Sequence, residues 1–104
     1  MDIMLCFQKD DAEFERLIKD AFGDNIDFVL TSDLDGKQFF SVVIKYSKTL
    51  VAFLKKYVDS SEKKRFIRTK SGNLYFQNYT ADEIVKILEA LNDEWSTYWT
   101  PEKY

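Results

Sequence analysis

The sequence has no histidine, one cysteine (Cys6), one proline (Pro101) and three glycines in 104 residues. Without an imidazole there is no general base of the commonest kind, no Ser-His-Asp triad and no histidine ligand for zinc. A lone cysteine excludes an internal disulfide and a CxxC metal knuckle. No window approaches the roughly 18 consecutive apolar residues of a membrane span. The chain is also too short for a doubly wound dinucleotide fold or an eight-stranded barrel. These absences lead us to expect no catalytic residue, no metal, no cofactor and no membrane insertion. The opening Met1-Asp2-Ile3-Met4-Leu5 lacks a basic n-region, and Lys9-Asp10-Asp11 follows at once, so it does not read as a signal peptide. A cytoplasmic location is expected.

What is present suits one small core. Hydrophobic residues make up 45% and aromatics 16% of the chain, enough for a single two-layer domain over residues 1–104. The net charge of −3 hides a segregation: residues 1–44 carry ten acids and four bases, residues 45–79 two acids and nine bases, and residues 80–104 six acids and two bases. A basic middle third therefore lies between two acidic ones. Charge runs of this kind usually mark solvated faces.

Local patterns divide the chain into eight elements. Met1 to Phe7 is apolar on both parities, as in a strand covered on both faces at the middle of a sheet. Asp10-Asp11-Ala12-Glu13 supplies an N-cap, Asp10, with a glutamate three residues on; Phe14, Leu17, Ile18, Ala21 and Phe22 recur at helical spacing, and Gly23 closes the helix. Ile26–Leu30 and Phe39–Ile44 read as a hairpin around Asp33-Leu34-Asp35-Gly36. Ser47–Val58 is a second amphipathic helix whose Lys48, Lys55 and Lys56 fall off the apolar stripe. Lys64–Thr69 and Leu74–Asn78 form a second hairpin around Lys70-Ser71-Gly72-Asn73. Thr80-Ala81-Asp82-Glu83 is a capping box, with Tyr79 placed to staple onto Ile84. A third helix follows with Ile84, Val85, Ile87, Leu88 and Leu91 inward, and Trp95, Tyr98 and Trp99 continuing the stripe.

The expected fold is α+β, a two-layer sandwich of order β-α-β-β-α-β-β-α. Its first six elements have the split βαβ order of a ferredoxin-like core, with an added hairpin strand and a C-terminal helix. The first strand then sits between the third and fourth. Helices on one face only would leave Met4 and Cys6 wet. Two arrangements avoid this: the third helix crosses to the second face, or a partner subunit, as in a homodimer, covers it.

Few signals point to chemistry. Asp33-Leu34-Asp35-Gly36 after a strand echoes a phosphatase signature, but two polar residues separate strand from aspartate, and the fold that presents that loop needs a larger parallel sheet. As a calcium loop it fails, since Thr31 replaces the first ligand and Val42 the last. Cys6, mid-strand and without histidine, reads as a small buried hydrophobe. Binding surfaces are better supported. The basic band from Lys45 to Lys70, with Lys55 and Lys56 at its centre, could track a phosphate backbone. A pI near 4.9 and acidic flanks disfavour nucleic acid and leave an acidic protein segment as an alternative partner. Trp95, Tyr98 and Trp99 are either a cap over the core or an exposed aromatic hot spot.

Three stretches, Thr49–Lys56, Arg65–Phe76 and Tyr79–Leu88, resemble the effector-associated constant component domains of bacterial conflict systems, which share an amphipathic basic helix, a hairpin and a capped short helix. The resemblance covers about the C-terminal half and transfers no catalytic residue. It implies a non-catalytic adaptor coupling an effector to the rest of a defence system. Two other functions remain open on the residues alone. One is an acidic immunity-type or antidefence inhibitor of a nuclease, with Asp10, Asp11, Glu13, Glu15, Asp24, Asp33 and Asp35 as phosphate mimics. The other is a nucleic-acid-binding domain that uses the basic band.

Overall fold

The structure, a computed structural model, describes residues 1–58, 63–69 and 72–98, with side chains described as far as Leu91. Its strands are β1 (Asp2–Gln8), β2 (Val29–Ser32), β3 (Gln38–Lys45), β4 (Arg65–Thr69) and β5 (Gly72–Tyr75). The helices are α1 (Ala12–Phe22), α2 (Lys48–Tyr57) and α3 (Ala81–Tyr98). The fold is α+β, and every strand pair is antiparallel in a five-stranded sheet of order β2-β3-β1-β4-β5. β1 lies between β3 and β4, as its two-sided apolar pattern requires.

Alternation sorts each strand onto two faces. Ile3, Leu5 and Phe7 of β1 and Val42 and Ile44 of β3 point to one side, where they join Phe14 and Ile18 of α1, Leu50, Phe53 and Leu54 of α2, and Ile84 and Leu88 of α3 in the main core. Phe7 anchors it, with the rings of Phe14 and Phe28 each 5.4 Å away in edge contact, a geometry favoured by the ring quadrupoles. The capping box of α3 acts as read, and Ser47 caps α2. Ser47 Oγ accepts the Leu50 N–H at 3.2 Å. Thr80 Oγ1 accepts the Glu83 N–H at 3.2 Å while Glu83 Oε1 accepts the Thr80 N–H at 3.1 Å. Gly23 ends α1 at φ 104°, a left-handed conformation that suits glycine.

Four expectations are corrected. The third helix does not cross to the second face, because Ile84 and Leu88 pack into the core beside α1 and α2. The first hairpin strand runs from Val29 to Ser32, not from Ile26 to Leu30. Ile26 and Phe28 instead turn their side chains onto the main core ahead of the strand. The last strand ends at Tyr75, and Phe76–Asn78 forms one turn of 3-10 helix that buries Phe76, 6.0 Å from the Phe14 ring. The α1 cap is also shifted by one residue: Asp11, not Asp10, caps it through Oδ1, which accepts the Phe14 N–H at 3.2 Å.

Candidate functional site: the far face of the sheet

Opposite the helices, Cys6, Phe39 and Phe66 form a small buried cluster with Met4 and Tyr75 packed against it. Strand residues alone build it. The register aligns them in rows across the sheet. Ser41 pairs with Val29 and with Cys6, and Cys6 pairs in turn with Phe66. In the next row Val43 pairs with Met4 and Met4 with Arg68. Val29 and Val43 remain 61% and 58% exposed. They border a groove of about 420 Å³ that runs from Ile26 and Asp27 past Met4 to Arg68. This face thus has an apolar middle, a carboxylate on the β2 side and a guanidinium on the β4 side.

The one thiol lies within it. Cys6 Sγ is 3.3 Å from Ser41 Oγ, fully buried. Burial pushes its pKa up, outweighing the hydrogen bond from Ser41 and the nearby charge of Arg68, both of which pull it down. A thiol so placed stays protonated at neutral pH and is a poor nucleophile.

A second polar constellation ties the two layers together. Arg65 Nε donates to Asp11 Oδ2 at 2.7 Å and a terminal guanidinium nitrogen donates to Oδ1 at 3.1 Å. Asp11 is 2% and Arg65 1% exposed. The guanidinium carbon sits 4.4 Å from the Phe14 ring centroid, where its charge meets the negative π face. Asp11 therefore serves the α1 cap and a two-pronged ion pair at once. It is not a surface phosphate mimic, and Arg65 is not part of a surface cationic track.

The sequence-derived site residues do not converge. Lys55 and Lys56 are exposed on the last turn of α2, on the helix layer, whereas Arg68 belongs to the far face. Lys63 turns back to Asp10, donating to its carbonyl at 3.1 Å. The basic band is thus divided between two sides of the sheet. Asp33 is committed to its turn: Oδ1 accepts the N–H groups of Asp35 at 3.0 Å and Lys37 at 2.8 Å. Asp35 is exposed at the tip. The side chains of Trp95 and Tyr98 lie outside the described residues, although the α3 backbone passes through both, and Trp99 lies outside them altogether. Sequence reasoning missed Val29, Val43, Asp27 and Arg68 as one surface. The period-two pattern of Gln38–Lys45 held the signal, since Val43 falls on the parity opposite Val42 and Ile44. Among the described residues no helix is long and apolar enough to cross a membrane.

Comparison with known protein families, with characterised proteins and with solved structures gives no match to this chain.

Proposed function

We propose that this chain is a non-catalytic protein-interaction module, an adaptor or regulator acting in the cytoplasm, and that the far face of its sheet receives the partner. The observation that carries the reading is the pair of exposed valines, Val29 and Val43, on the same groove as Arg68, on the sheet face opposite the helices. Exposed apolar side chains gathered around a groove and bordered by charge are the usual composition of a docking surface. The ferredoxin-like reading of the core rests on β1 lying between β3 and β4 with β2 at the edge. A bacterial conflict setting rests on the sequence resemblance of residues 49–88.

The test is affinity capture with the chain as bait. Val43→Glu is expected to abolish capture, and Asp35→Lys to leave it intact. Capture that survives Val43→Glu but fails with Asp35→Lys would replace this reading with the nuclease-inhibitor one. Nucleic acid retained with a steep salt dependence and lost on Lys55→Glu with Lys56→Glu would replace it with the nucleic-acid one.

A further inference from the structure

We infer that the occupant of the far face is a second copy of this chain, related by a two-fold axis that runs along the strands between β1 and β3. The inference rests on the proposed role of this face as a protein-binding surface and names what binds there. Its basis is the charge pattern. Val43 pairs with Met4 and Met4 with Arg68, and Asp27, two residues ahead of the last β2–β3 pair at Val29–Ser41, lies at the Val43 end of this row. The groove lined by all four agrees with that placement.

A two-fold axis between β1 and β3 exchanges β3 with β1 and β2 with β4 while leaving each row level with itself. In that row Val43 of one copy then faces Met4 of the other, and Asp27 faces Arg68, twice over by symmetry. The row at the end of β1 behaves in the same way, because Asp2 pairs with Lys45 and the axis sets each over its opposite charge in the second copy. One operation thus makes two independent rows complementary. A two-fold interface requires this kind of self-complementarity.

The dimensions agree. Facing sheets pack about 10 Å apart with strands within about 30° of alignment, a gap that arginine and aspartate can bridge from opposite sides. An overlap of four strands is about 19 Å wide and five residues about 17 Å long, small beside the roughly 800 Å² per partner of a standard interface. The association is therefore expected to be weak and to populate toward the upper end of the micromolar range.

Sedimentation of the full chain from about 1 to about 500 μM, at about 0.1 M salt, tests this. Its weight-average mass should rise from 12.3 kDa toward twice that value. Arg68→Glu and Asp27→Lys should each weaken dimerisation at least tenfold, and the double variant, which swaps both charges, should recover most of it. Both residues are exposed, and far-UV circular dichroism verifies that each variant folds. A wild-type mass that stays at the monomer value would overturn the inference, as would dimers indifferent to both single variants. Monomers whose partner capture is nonetheless lost with Val43→Glu would overturn the second copy while upholding the face as a binding surface. Capture unaffected by that change in a monomeric chain would overturn both.

Discussion

Asp11 does two things that pull on one carboxylate: it accepts the unpaired Phe14 N–H at the start of α1 and it neutralises a guanidinium brought from 54 residues away. Each oxygen is occupied, so the buried charges are satisfied as a unit. Removing one partner leaves the other charged, buried and alone, which typically costs about 3–5 kcal/mol. Arg65→Met is therefore expected to destabilise by about that amount in urea unfolding. Pairing it with Asp11→Ser, which keeps a capping hydroxyl, should recover most of the loss, since replacing both charges removes the desolvation penalty. Cys6 offers a second measurement at this scale. Its raised pKa and complete burial predict that a thiol reagent at pH 8 labels it slowly in the native protein and at once in denaturant. Raising the pH works against the fold here. A thiol with a higher pKa folded than unfolded contributes stability below its unfolded pKa and loses it as pH rises toward the folded one.

Among the elements, α3 shows how a local signal and a tertiary one combine. The Thr80–Glu83 box was legible in the sequence because both partners lie within one turn, and the hydrogen bonds are those expected. Thr80→Ala should cost about 0.5–2 kcal/mol. The hydrogen bonds of Glu83 with Thr80, the backbone N–H first, lower its pKa below the usual carboxylate value. Its contribution is then complete above the unfolded carboxylate pKa and disappears as pH falls through the folded one. The stability gap between wild type and Glu83→Gln should accordingly close on acidification. Packing dominates further along: Leu88 is fully buried in the main core, and Leu88→Ala should cost about 2–4 kcal/mol. Where local pattern misled, packing decided. The β-rich segment Ile26–Leu30 reads as one strand, yet the turn closed by Asp33 and Lys37 pairs Ser32 with Gln38, and the ladder starts only at Val29. Phe76 leaves β5 in a turn of 3-10 helix and is buried against the Phe14 ring.

At the scale of the whole molecule, three helices on one side of a five-stranded sheet make the two faces unequal. The helix side carries the stability and the far side carries accessible apolar surface. Val43→Glu separates the two, because it changes an exposed position: it should alter stability by under about 0.5 kcal/mol while abolishing capture. Thermal unfolding followed by circular dichroism, compared with the effect of Leu88→Ala, provides the measurement.

Element types, the α3 capping box, turns and the central place of β1 followed from the sequence by itself, because each is written in a local pattern: periodicity, a Thr-x-x-Glu before a stripe, a glycine where φ turns positive. The candidate site did not follow in this way. Lys55, Lys56, Asp33, Asp35 and the C-terminal aromatics were selected by composition along the chain, and composition does not say which side of a sheet a residue occupies. Tertiary structure alone buried Arg65 against Asp11, parted Arg68 from the lysines of α2, set α3 beside α2, and brought Asp27, Val43, Met4 and Arg68 around one groove. The placing of Arg65, Arg68, Val43 and Met4 depends on the pairing register of strands far apart in sequence. A shift of one residue in that register would send every side chain to the opposite face.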